Sequence, residues 1–137
     1  MEELKEKLEE VRKYLIEKIE CEAIVIFGSY ARNTQNSESE IDIAIKSTKK
    51  IQPKELFEIK ENLENIVKKD VDLIDLDNTQ DGIRYEILIN GIIIYTKDEM
   101  QFELYKLDMY REYLELNESL RHIKYLTKGR KNENDKF

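Results

Sequence analysis

The apolar positions of this chain change period several times, and each change marks an element. Leu4, Leu8, Val11, Leu15 and Ile19 step by three or four, which lays one apolar stripe along a helix over residues 2–20. A continuous apolar run, Ala23-Ile24-Val25-Ile26-Phe27, then predicts a buried strand over 22–27. Gly28-Ser29 ends that run and opens a turn and short helix over 28–33, with a polar loop over 33–39. Residues 40–47 alternate: Ile41, Ile43 and Ile45 take one face of a strand, and Glu40, Asp42, Ala44 and Lys46 the other. Pro53 suits a first helical position. Leu56, Ile59, Leu63 and Ile66 continue a helical stripe, and Lys68-Lys69 suit its C-terminal end. Residues 70–76 predict a third strand, 79–89 a helix and 92–95 a short strand after Gly91. A long helical segment follows over 98–128, with a break expected near Asn117. Strands and helices interleave, so the expected class is α/β (α+β), a small mixed sheet with flanking helices and a long C-terminal helical segment.

Composition narrows the setting. A length of 137 residues suits one domain. Residues 1–128 are expected to form it, with C-terminal helices from residue 98 and a disordered basic tail over 129–137. The net charge of -7 does not attract nucleic acid over the whole surface, so no direct nucleic-acid partner is expected. No apolar run is long enough to span a membrane, and the charged N-terminus lacks a signal-peptide apolar region. Cys21 is the single cysteine and cannot form an internal disulfide, which fits a reducing cytoplasmic location. The basic end, from Arg121 to Lys136, reads as a solvated helix end and tail.

The chemistry concentrates in Phe27-Gly28-Ser29-Tyr30-Ala31-Arg32 and Glu40-Ile41-Asp42. Glycine lets the backbone approach a phosphate without a Cβ clash, and the start of a helix offers free N–H groups to an anion. The Ser29 hydroxyl can add a hydrogen bond. Arg32 can contact a phosphate or brace the acidic strand. Positions i and i+2 of a strand point the same way, so Glu40 and Asp42 are expected to project as a pair. Magnesium takes oxygen ligands, and two such ions can clamp the attacking and leaving oxygens of a phosphoryl group. Asp72, flanked by Val71 and Leu73 that face away from it, is the candidate third carboxylate. Asp70 lies at the strand start and Asp75 faces the other way, so neither is preferred. The pattern points to nucleotidyl transfer.

These residues resemble the DNA polymerase β-like nucleotidyltransferase superfamily. More narrowly, the chain is similar to the minimal nucleotidyltransferase (MNT) antitoxins, MntA type, of HEPN/MNT toxin–antitoxin pairs. The likeness includes Gly28-Ser29-Tyr30-Ala31-Arg32, Glu40-Ile41-Asp42, Val71-Asp72-Leu73, Arg84-Tyr85-Glu86-Ile87-Leu88-Ile89-Asn90-Gly91 and Ile94-Tyr95. The resemblance implies a nucleotidyltransferase fold and Mg-dependent transfer of AMP from ATP to a tyrosine of a HEPN ribonuclease toxin. It implies a hetero-oligomer with that toxin. Gly28 and Ser29 would hold the triphosphate, with Arg32 beside them. Glu40, Asp42 and Asp72 would be the catalytic metal ligands for two Mg2+ ions, Asp72 nearest the acceptor oxygen.

Two positions depart from the family pattern. Glu40 stands where Asp is usual and is one methylene longer. Asn33 stands where Gly is frequent, and asparagine tolerates the left-handed backbone. The first departure keeps a second reading open, a binding-only antitoxin with a degenerate site. A third is a nucleotidyltransferase for a small molecule such as an aminoglycoside, which usually needs a further domain for its acceptor. Arg121 and His122 are adjacent, which does not match the spaced Arg and His of the HEPN ribonuclease motif. Tyr105, Tyr110, Tyr113 and Tyr125, with Leu104, Leu107, Leu114 and Leu120, are expected mostly as core against the sheet, any exposed remainder being suited to a partner helix.

Overall fold

The strand and helix periods become a three-layer arrangement. The computed structural model describes residues 2–33, 35 and 39–130, with backbone alone for residue 2 and for 119–130. In chain order the elements are α1 (Glu2–Ile19), β1 (Cys21–Phe27), α2 (Gly28–Ala31), β2 (Ile41–Ser47), α3 (Pro53–Val67) and β3 (Val71–Asp75). A 3-10 turn (Leu76–Asn78), α4 (Asp81–Asn90), β4 (Ile92–Thr96) and α5 (Glu99–Arg130) complete it. The sheet order is β3-β2-β1-β4. β1 runs antiparallel to β2 and β4, while β2 and β3 are parallel. A parallel pair needs a crossover, and α3 supplies it.

Both faces of the sheet are covered. Val11 and Leu15 of α1 and Ile59 and Leu63 of α3 pack on Ile24, Ile26, Ile41, Ile43 and Ile45. On the other face Ala23, Val25 and Ala44 meet Leu76, Ile87, Leu88 and Phe102. The alternation of β2 therefore separates two cores, and only the ends of its second face, at Asp42 and Lys46, carry charge. α3 ends on Lys68, which takes the left-handed conformation (φ 59°) and donates its N–H to Glu64 O at 2.8 Å. Gly91 lets α4 turn directly onto the sheet, because a Cβ there would strike Val25 and the Ile87 carbonyl.

α5 departs from expectation in two ways. It runs unbroken through Asn117. Phe102, Tyr105 and Met109 do pack on the sheet side, and Tyr113 stacks on Tyr85 with ring centroids 3.9 Å apart. Leu104, Leu107, Tyr110 and Leu114 are exposed instead of buried. The side chains of Leu120, His122 and Tyr125, most of the loop over 34–38 and the tail over 131–137 lie outside the described residues. Among the described residues no helix is long and apolar enough to cross a membrane.

Candidate active site

The site is built where β1 ends. Phe27 closes the strand opposite Asp42, and Gly28 turns the chain with φ +69°, a conformation that costs an L side chain about 1–2 kcal/mol. A Cβ on Gly28 would fall onto the Asp42 carboxylate. Glycine is thus needed twice, for the backbone angle and for the space. α2 starts at once, and Arg32 N donates to Gly28 O at 3.1 Å to close its single turn. Phe27, in the capping position, has no oxygen to offer the first N–H groups of α2. Asn33 follows at φ 58°, the left-handed angle its side chain tolerates.

The parallel pairing places Asp42 directly beside Asp72. Neighbouring strands lie about 4.8 Å apart, so the two side chains leave the same face as neighbours. The register is pinned from both sides. Ile41 N donates to Asp70 O at 3.0 Å, and Val71 N donates to Glu64 Oε2 at 2.9 Å. Asp70 is therefore structural through its carbonyl. Asp75 caps the 3-10 turn by accepting from Asp77 N at 3.0 Å, away from the site.

The start of β2 requires a correction: its pairing begins at Ile41, and Glu40 immediately precedes it. The alternation of 40–47 continued one residue past the first pairing, because a polar residue at that place satisfies the pattern in either conformation. Glu40 still acts on the site. Burial first, then the negative charges of Asp72 and Glu40, hold the Asp42 carboxyl above its ordinary range, and Arg32 offsets only part of this. Asp42 is half-buried, while Asp72, Glu40 and Arg32 are exposed. Among the described residues no three acids close around one point tightly enough to form a preset metal cage. The donors present are carboxylate oxygens held close enough to repel, which is the chemistry a hard divalent cation relieves.

The opposite end of β2 was not singled out by sequence reasoning. There Lys46 Nζ lies 3.2 Å from Glu22 Oε2 and 3.2 Å from Asp77 Oδ2, and 4.8 Å from the Tyr105 ring centroid. A cavity of about 480 Å³ opens beside it, lined in part by Thr48, Lys97 and Phe102. None of the nominated site residues lines that cavity. The signal available was Lys46 four positions after Asp42 on one strand face.

The fold and the acidic site define a nucleotidyltransferase. Residues 9–100 match the family described as "Polymerase beta, Nucleotidyltransferase", a span that contains Gly28, Ser29, Arg32, Glu40, Asp42 and Asp72, and the chain belongs to that family. Over 72 residues it is 43% identical to "Putative protein adenylyltransferase MJ0126" of Methanocaldococcus jannaschii, covering 53% of this chain and 74% of that one. It is 28% identical over 90 residues to "Protein adenylyltransferase MntA" of Shewanella oneidensis, covering 64% of this chain and 65% of that one. Among solved structures, one described as the "toxin-antitoxin with AMP-PNP" superposes with a TM-score of 0.77 at 24% identity, covering 89% and 96% of the two chains. Another, a "tri-AMPylated Shewanella oneidensis HEPN toxin in complex with MNT antitoxin", gives a TM-score of 0.74 at 21% identity, covering 90% and 97%. The nucleotidyltransferase fold expected from the sequence is the observed one, and the resemblance to MntA-type minimal nucleotidyltransferases stands.

Proposed function

We propose that this chain is an antitoxin that transfers AMP from ATP onto a tyrosine of a HEPN-family ribonuclease in the cytoplasm and so silences it. The observation that carries this reading is the fit of Gly28 against Asp42 with Asp72 in register beside it. The names of the relatives, protein adenylyltransferases, support the reaction class, and the toxin–antitoxin complexes of the same fold support the partner.

The residues divide the work. The backbone of Gly28 and Ser29 would hold the triphosphate at the start of α2, and Arg32 would add positive charge there. Asp42, Asp72 and Glu40 would hold magnesium. Bound there, magnesium supplies charge neutralisation to the phosphate oxygens. Asp72, exposed at its strand, would take the phenolic proton as the tyrosine oxygen bonds to the α-phosphorus. The bond from that phosphorus to the β-phosphate oxygen breaks, and pyrophosphate leaves.

Intact-mass measurement of the HEPN protein after incubation with this chain, ATP and magnesium tests the proposal. Addition of AMP by the wild type and none by Asp42→Ala is the expected result. A stable complex with no added mass would move the reading to binding-only inhibition, for which Glu40 in place of the usual Asp, one methylene longer, would be the candidate cause.

A further inference from the structure

α5 is apolar on two opposite sides. Its inner side, Phe102, Tyr105, Met109 and Tyr113, meets the sheet and α4. At about 3.6 residues per turn, Met100, Leu104, Leu107, Arg111 and Leu114 fall on the reverse side. Their spacing alternates four and three, the pattern of a helix–helix seam. Met100 is 74% exposed, Leu104 56%, Leu107 50% and Leu114 45%. Scattered exposed leucines are ordinary, but a continuous seam on the outer side of a surface helix is a docking feature.

The charges beside the seam choose the occupant. Glu103, 3.4 Å from Lys106, borders it on one side, and Asp108 and Glu115 on the other, so the borders are acidic on balance. Arg111 sits within the seam, 3.7 Å from Asp108, where a polar residue sets register. A second copy of this chain would bring acidic borders against acidic borders. A helix with an apolar seam and basic borders meets no such repulsion.

We propose that the outer face of α5, from Met100 to Leu114, seats a partner's helix that carries an apolar seam between lysine or arginine borders. That this partner is the protein that accepts AMP rests on the adenylyl-transfer reading above.

Two synthetic helical peptides with the same leucine seam, one bordered by Lys and one by Glu, are titrated against the full chain by fluorescence anisotropy. The account expects the Lys-bordered peptide to bind at least about tenfold more tightly. Leu104→Glu/Leu107→Glu should weaken that binding at least about tenfold although it makes the chain more acidic. Equal or tighter binding by the variant would show attachment by charge alone and overturn the proposal. A wild-type dimer in sedimentation that the variant dissolves would also overturn it, in favour of a second copy. Transfer to the HEPN protein separates the two readings. Lost transfer by the variant, with an intact Mg–ATP thermal shift, supports the docking role. Undiminished transfer overturns it. Seam-dependent peptide binding by a wild type that labels no HEPN protein supports the docking surface and removes only the adenylyl-transfer reading.

Discussion

Asp42 and Lys46 stand four residues apart on the same face of β2, under opposite electrostatic conditions. Burial, Asp72 and Glu40 all push the Asp42 carboxyl upward, and Arg32 answers them only in part. Burial alone would depress the Lys46 ammonium, but Asp77 and Glu22 outweigh it and hold it above its ordinary value. One end of the strand resolves its own charge. The other gathers like charges and leaves the repulsion for a ligand to relieve. A cluster of charged residues is thus not in itself the mark of a site. The mark is a cluster that the fold does not neutralise.

The largest expected effect is at the unresolved end. On the proposed reading, Asp42→Asn should lower AMP transfer at least about a hundredfold in a steady-state assay, because it removes a carboxylate that would hold magnesium and place the reacting groups. Its melting temperature should hold or rise, because the substitution removes a charge the fold repels. Gly28→Ala should cost a similar factor in activity and also destabilise by at least about 1–2 kcal/mol, measured by urea unfolding, the left-handed angle alone accounting for that much and the contact with Asp42 adding to it. The resolved end should behave in reverse. Lys46→Met should cost about 1–2 kcal/mol of stability and leave transfer little changed.

Cys21 reports on that same end. Its thiol is buried, donates to Ala23 O at 3.1 Å, and is pushed up to about 11 chiefly by desolvation. The folded value lies above the ordinary 9.0, so the associated stability is intact below pH 9 and is lost as pH rises through 11. The loss amounts to about 3 kcal/mol, readable as the difference between the wild type and Cys21→Ala in urea titrations across that window. The smallest effect belongs to Glu40→Asp. Glu40 is exposed and immediately precedes the first paired residue of β2, so transfer should change by less than about tenfold, in a direction that shows whether the longer side chain is a hindrance.

Much of this was legible in the chain. The change of period from three-or-four to two located α1, β2 and α3, because one-sided burial imposes those periods. Gly28 was legible since a glycine between a buried strand and a short helix has few other uses. The grouping of Asp72 with Asp42 was expected too, but their direct pairing was not legible, because the register of a parallel pair is set by how α3 packs and by Ile41 N on Asp70 O. The start of β2 was missed by one residue, since alternation does not show where pairing begins. The outward leucines of α5 were misplaced for a related reason. Apolar residues on two sides of a helix do not say which side the domain buries. The Lys46 cluster joins β1, β2 and the 3-10 turn, and no local pattern links Glu22, Lys46 and Asp77.

Thermal unfolding with and without Mg–ATP tests the contrast between the two ends most directly. A ligand that binds only the folded state raises the midpoint by mass action. The account predicts a rise in the wild type and in Lys46→Met, and none in Asp42→Asn. A rise that survives Asp42→Asn but disappears in Lys46→Met would place the nucleotide at the other end of β2 and contradict it.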